Sequence, residues 1–207
     1  SYLDFALGGV PADMRGRRLV RFMAKDSIFR HPVAGPLMRG MKHIPVDRDA
    51  GSAAFRDAVG AAKSGELIGV FPEATMSQSL EIKELKNGAI RMARAANVPM
   101  IPMIIFGGHR VLGYEVKDFT RGRTICMTVG KPRLIERGKD PDELTEELRG
   151  ELSQLLDATI ERYPDQPPGA AWIPARHGGS APTLEEAHRL EEERRARRRA
   201  EREAKAR

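Results

Sequence analysis

Several short apolar runs closed by Gly or Pro constrain this chain more than any other feature: Leu19–Ala24, His43–Asp47, Glu66–Phe71, Pro99–Phe106 and Thr124–Val129. Runs of that kind have the look of buried strands. Helical signals fall between and after them. Ser52–Lys63 is rich in Ala and ends at Gly65, a residue suited to a left-handed helix cap. Asn87–Ala96 follows the same style. Asp140 followed by Pro141 is an N-cap with Pro at the first helical position. Leu144, Leu148, Leu152, Leu155/Leu156 and Ile160 then share one face, which predicts an amphipathic helix over Pro141–Arg162. The alternation predicts an α/β layer fold: a largely parallel central sheet flanked by helices, with a charged C-terminal helical tail.

The alternation stops near Pro164, so the body is expected over residues 1–164. Residues 165–182 are rich in Pro and Gly and read as a loop. Thr183-Leu-Glu-Glu186 is a capping-box pattern that opens a helical signal over 183–207. From Glu185 to Arg207 there are 7 acidic and 9 basic residues, with almost no apolar face beyond Leu184, Ala187 and Leu190. Burial of apolar surface cannot hold such a segment down, so a solvated or frayed helix is expected.

Composition bounds the function. Hydrophobic residues make up 41% of the 207, enough for a core. The longest apolar run, Val98 to Gly108, contains Pro99 and Pro102 and falls short of the ~18 residues of a membrane span. Cys126 stands alone, which excludes an internal disulfide. The net charge of +6 favours anionic partners: phosphate, nucleic acid or an acidic membrane face. Nucleic acid is set aside, because the Arg-rich tail alternates in sign and has few aromatics for stacking. His31, His43, His109, His177 and His188 lack zinc-site spacing and read mostly as surface or loop residues.

Ligands of α/β proteins gather at the carboxyl ends of strands, and two such places are chemically loaded. Phe71-Pro-Glu-Ala-Thr-Met-Ser77 follows a strand directly and puts Glu73 at the sheet edge; equally, Thr75 or Ser77 caps a turn and Glu73 is solvated. Gly40–Arg48 ends in Asp47-Arg48, a guanidinium suited to phosphate or an ordinary surface pair.

Taken in order, Ser1-Tyr-Leu-Asp4, Phe22-Met-Ala-Lys25, Ile44-Pro-Val-Asp-Arg48, Phe71-Pro-Glu-Ala-Thr-Met-Ser77 with Lys86-Asn-Gly-Ala89, and Val98-Pro-Met-Ile-Pro-Met103 resemble the 1-acylglycerol-3-phosphate acyltransferase family of the glycerolipid acyltransferase superfamily. The resemblance implies transfer of an acyl group from acyl-CoA or acyl-carrier protein to the acceptor's free hydroxyl, giving phosphatidic acid. No metal or organic cofactor is implied. Residues 1–164 would then be an acyltransferase domain shortened at its N-terminus. The family's first block reads Asn-His-x-Ser-x-x-Asp; Ser1 and Asp4 match its end, and the basic His would fall two positions before Ser1. The implied role of Asp4 is to orient that imidazole. Glu73, implied as a catalytic residue with Asp4, would order the acceptor site or bond its hydroxyls, and Lys25, Arg48, Thr75, Ser77 and Lys86 would bind substrate. Without the His, the chain as given is expected to fold but turn over poorly. The expected location is the cytoplasmic side of the cell membrane, held peripherally or through a segment upstream of Ser1.

Two positions depart from the family pattern. Ala74 stands where Gly is usual, and Met76 stands where an Arg usually contacts phosphate. Lys83, Lys86 or Arg91 would have to supply the missing cation; otherwise the acceptor is another lysophospholipid or glycolipid, or the scaffold is a non-catalytic lipid-binding module. Two segments stay open. Trp172 either anchors the C-terminal loop, the preferred reading, or lies along an acyl groove or membrane interface. Ser27–Met41 either touches acyl chains or lipid through Ile28, Phe29, Val33, Leu37 and Met38, or is a core helix broken by Pro32 and Pro36.

Overall fold

The computed structural model describes residues 1–47, 51–114 and 116–205. The five apolar runs become β1 Val20–Lys25, β2 Ile44–Val46, β3 Leu67–Gly69, β4 Met103–Phe106 and β5 Cys126–Val129. The chain is mixed α/β. β1 is the centre of a parallel sheet in the order β2-β1-β3, with Met23 opposite Ile44 and Arg21 opposite Ile68. β4 and β5 form a separate antiparallel pair, Ile104 opposite Thr128. This departs from a single continuous sheet for a physical reason. A parallel step needs a crossover, usually a helix. The connection from β4 to β5 holds only the 3-10 turn Gly108–Arg110 among its described residues, so the chain returns antiparallel.

The helices are α1 Asp4–Leu7, α2 Val10–Met14, α3 Asp26–Phe29, α4 Ala34–Gly40, α5 Gly51–Lys63, α6 Gly88–Ala96, α7 Pro141–Glu161 and α8 Leu184–Lys205. α7 starts as its sequence dictates: the Asp140 carboxylate accepts from the backbone N–H of Asp142 at 2.7 Å and Glu143 at 3.3 Å. Its stripe Leu144, Leu148, Leu152, Leu156 and Ile160 is buried against β4, β5 and α6. A second cluster under the parallel sheet joins Ile44, Ala54, Ala58 and Met92. Among the described residues no helix is long and apolar enough to cross a membrane.

The segment after α7 is fastened to the body by polar clamps. Arg110, 6% exposed, donates to the Tyr163 hydroxyl at 3.0 Å, pairs with Asp165 at 2.6 Å and stacks over the Trp172 ring at 4.1 Å. Arg176 pairs with Glu81 at 2.8 Å and also with Asp157.

α8 departs from the solvated tail expected of its composition. Its first half is docked. The capping box closes, Thr183 N–H to Glu186 at 2.8 Å and Glu186 N–H to Thr183 Oγ1 at 3.2 Å. Ala187 is buried, and Arg194 lies 4.4 Å from the centre of the Tyr114 ring. The attachment is largely polar, which is why a search for an apolar face does not find it. The second half carries exposed i,i+4 pairs, Arg197–Glu201 and Arg199–Glu203.

Candidate active site

The parallel sheet decides where ligand can bind. With β1 between β2 and β3, the chain steps to one side of β1 and then crosses to the other. Such a switch point opens a crevice at the carboxyl ends of the strands. Lys25 ends β1, and Phe71–Ser77 follows β3. A cleft of ≈2120 Å³ opens there, with Asp4, Lys25, Glu73, Thr75, Met76 and Ser77 in its wall. Apolar side chains line the rest, among them Ile104, Leu148, Leu152, Leu156 and Trp172. Trp172 thus lines the cleft and also anchors the C-terminal loop, its indole N–H donating to Asp165 O at 3.0 Å.

Asp4 begins α1. Its Oδ1 accepts from the Ser1 hydroxyl at 2.5 Å, and its Oδ2 faces the Ser1 amino group. The turn after β4 presses on this pair. A Cβ added at Gly108 would stand 2.6 Å from Ser1 Oγ and 3.2 Å from Asp4 Oδ1, so only glycine lets the turn approach so closely.

Glu73 reaches the cleft on the loop after β3. Burial raises its carboxyl above the usual range, and the Asp4 charge adds to that, against lowering by the Lys83 N–H and ammonium. Its Oε2 accepts the Lys83 backbone N–H at 3.3 Å. Ala74 has φ 60°, the left-handed region that favours glycine. That conformation explains why Gly is usual at this position in the family the sequence resembles. Ser77 shares a 2.8 Å hydrogen bond with the buried Ser79, whose Oγ accepts the Glu81 N–H, so its hydroxyl also fixes the turn.

The three candidate replacements for a cation at Met76 separate clearly. Lys83 reaches the motif: its ammonium donates to the Thr75 hydroxyl and to Glu191 Oε2 of α8, the latter at 2.9 Å. Thr75 donates to Glu191 Oε1 at 2.8 Å. Burial pushes the Glu191 carboxyl up, but the hydrogen bonds from Lys83, Thr75 and Arg195 outweigh it and hold it down at about 2. Arg91 instead lies over the Phe55 ring at 5.9 Å. Lys86 lies apart from both. Its backbone N–H bonds Pro72 O, but its side chain points outward, 72% exposed, 3.7 Å from Glu84 and outside the cleft wall. Arg48 lies outside the described residues.

The histidines also need revision. His43 is 4% exposed, accepts the Phe22 N–H at 3.0 Å and sits edge-on to Phe5 and Phe22. His109 lines the cleft; burial pushes it down to about 4, and its Nε2 lies 3.0 Å from Trp172 O. It is therefore neutral, with Nε2 the protonated nitrogen facing that carbonyl. Gly107-Gly108-His109-Arg110 closes β4 at its carboxyl end, the same signal that pointed to Glu73. Among the described residues no His, Cys, Asp and Glu group is arranged to hold a metal.

A parallel sheet with acidic and basic side chains at its carboxyl edge thus opens on a largely apolar cleft. Comparison with known proteins shows the family. The Acyltransferase family model matches residues 1–106. A 1-acyl-sn-glycerol-3-phosphate acyltransferase of Bacillus subtilis is 30% identical over 66% of this chain and 72% of its own length. The same-named chloroplastic BAT2 protein of Brassica napus is 25% identical over 66% of this chain and 40% of its own. The crystal structure of the 1-acyl-sn-glycerophosphate (LPA) acyltransferase PlsC from Thermotoga maritima shares the fold, with a TM-score of 0.57 at 18% identity over 75% of this chain and 63% of that one. This chain belongs to the acyltransferase family. It spans well under half of the Brassica relative and 63% of the Thermotoga chain.

Proposed function

We propose that the protein acylates 1-acylglycerol-3-phosphate at a membrane surface, taking the acyl group from acyl-CoA or acyl-carrier protein and releasing phosphatidic acid and the free thiol. The observation that carries this reading is the meeting of Asp4 and Glu73 with an apolar cleft of ≈2120 Å³. That volume exceeds the ~300–1,000 Å³ of ordinary small-ligand sites and suits acyl chains. The names of the relatives point to the same acceptor.

The chemistry assigns each group a task. In the family's first block, which Ser1 and Asp4 match, a His two positions before the Ser is oriented by the Asp and takes the proton of the acceptor hydroxyl. The resulting alkoxide attacks the thioester carbonyl, and the thiolate leaves as the tetrahedral intermediate collapses. Asp4 fixes the imidazole tautomer and stabilises the imidazolium. Glu73 holds the motif loop through the Lys83 N–H and faces the acceptor's head. Lys25, in the cleft wall, supplies positive charge for the phosphate, while Lys83, tied to Thr75 and Glu191, holds the motif loop that Thr75 and Ser77 shape. Arg48 is assigned to phosphate from the sequence alone.

The test is product formation from lysophosphatidate and acyl-CoA by this chain extended upstream with Asn-His at the spacing of the family's first block, with Asp4→Ala as the control. Phosphatidic acid from the parent and not from Asp4→Ala supports the reading. A second acceptor is favoured by one observation, the uncharged Met76 in the cleft wall. The same assay with a lysophospholipid carrying a larger headgroup tests it.

A further inference from the structure

The region between Lys25 and Lys42 is built unlike the rest of the surface. α3 and α4 press together where a Cβ at Gly35 would collide with the Phe29 carbonyl. Phe29 and Met38 turn inward to a small core with Ala24 and Phe5. That packing leaves the other side of α4 bare. Val33, Leu37 and Met41 recur every four residues, so they form one stripe, and they are 77%, 62% and 39% exposed. Ile28 of α3 is 41% exposed. Single exposed aliphatics are ordinary on protein surfaces. A stripe of them on one short pair of helices marks an interaction site.

The charge of this region is as one-sided as its hydrophobicity. Lys25, Arg30, Arg39 and Lys42 are all exposed, against Asp26 alone, a net +3. Arg39 Nη1 donates to Phe29 O at 2.6 Å, which fixes one cation at the junction of the two helices. The region is also continuous with the cleft: Lys25, Ile28 and Met38 line the space that holds Asp4 and Glu73.

We propose that the α3–α4 face is the docking surface for an anionic lipid bilayer. Val33, Leu37, Met41 and Ile28 enter the interfacial layer while Arg30, Arg39 and Lys42 meet acidic headgroups. A lipid leaving the bilayer under this face enters the cleft past Ile28 and Lys25 without crossing bulk water. An acidic protein would match the charge, but the aliphatic stripe running into an apolar cleft fits lipid. The purpose of the contact rests on the lipid-acceptor reading; the contact itself does not.

The experiment is co-sedimentation of the 207-residue chain with phosphatidylcholine vesicles, with and without phosphatidylglycerol. Binding is expected only to the anionic vesicles and to weaken with added salt. Val33→Asp with Leu37→Asp should lower the partition coefficient about tenfold or more, and Arg30→Glu with Lys42→Glu by a similar factor, since each basic residue near an anionic surface contributes several-fold. Leu134→Asp, at an exposed aliphatic elsewhere (67%), should change nothing. All these side chains are exposed, and an unchanged denaturation midpoint confirms folding. Vesicle binding that ignores both double variants, equal binding to neutral vesicles, no binding at all, or a loss of acyl-carrier-protein binding in place of vesicle binding each overturns the proposal. A water-soluble short-chain acceptor, assayed with the upstream-extended chain, separates the two readings. Double variants that lose vesicles but keep turnover on it support docking. Absence of turnover in the parent with vesicle binding intact counts against the acyltransferase reading alone.

Discussion

The attachment of α8 to the motif loop through Lys83, Thr75 and Glu191 makes a quantitative demand. The pair is 2.9 Å apart, and its side chains are 20% and 18% exposed. An exposed pair at that distance contributes ~0–1 kcal/mol. Here most water is excluded and each charged group also hydrogen-bonds Thr75. A net coupling of about 2 kcal/mol follows, within the ~1.5–3 kcal/mol typical of hydrogen bonds to charged groups. The perturbation is a double-mutant cycle of Lys83→Met and Glu191→Ala, read by urea denaturation at neutral pH. Glu191→Ala alone should cost more than Lys83→Met, because it removes the carboxylate paired with the shielded Lys83 ammonium, whereas Glu191 without Lys83 keeps Thr75 and Arg195. The pH dependence fixes the sign. Glu191 is held down at about 2 from its usual 4.5, so the folded state keeps its charge where the unfolded chain binds a proton. The contribution is present in full above pH ~4.5 and drains away as pH falls from there toward ~2. The coupling at pH 3 should therefore be well below that at pH 7. A coupling under ~0.5 kcal/mol at pH 7, or one that does not change at pH 3, would refute the argument that α8 is tied to the site by this carboxylate.

Two further substitutions follow from backbone geometry. Gly108→Ala places a methyl 2.6 Å from Ser1 Oγ and 3.2 Å from Asp4 Oδ1; it should lower kcat on the order of 10²-fold, the usual effect of a ~1 Å misplacement at a reacting group, with little change in KM, and turnover of the upstream-extended variant at the parent's rate would contradict this. Ala74→Gly relieves a φ of 60° and should stabilise by about 0.5–1 kcal/mol, since the left-handed strain outweighs glycine's added entropy, an effect that urea denaturation resolves and that an unchanged midpoint would deny.

The sequence exposed those parts of the molecule that depend on neighbours along the chain. The five strands were legible because buried strands are short apolar runs, and α7 because its leucines recur on one face. Glu73 was legible because a strand's carboxyl end can be located from pattern alone. The antiparallel pairing of β4 with β5 was not, since it depends on the path of the connection between them. Lys86 shows the limit of sequence adjacency: its backbone touches the motif loop at Pro72, yet its side chain leaves toward solvent. Glu191 lies among 16 charged residues of 185–207, and nothing in that run distinguishes it from Glu192 or Glu193. Its role is created by Lys83, 108 positions away. His109 looked ordinary because a lone imidazole after two glycines has no signature; its burial comes from Trp172 and Phe106 closing over it.

The most direct test of the central claim is to incubate the upstream-extended chain with lysophosphatidate and acyl-CoA and to weigh the product by mass spectrometry, beside its Asp4→Ala variant. The account predicts phosphatidic acid from the parent, reduced on the order of 10²–10⁴-fold by Asp4→Ala, the span expected when general-base catalysis fails. Product formed equally well by the Asp4→Ala variant, or no acylated product from a folded parent supplied with lipid vesicles, would contradict it.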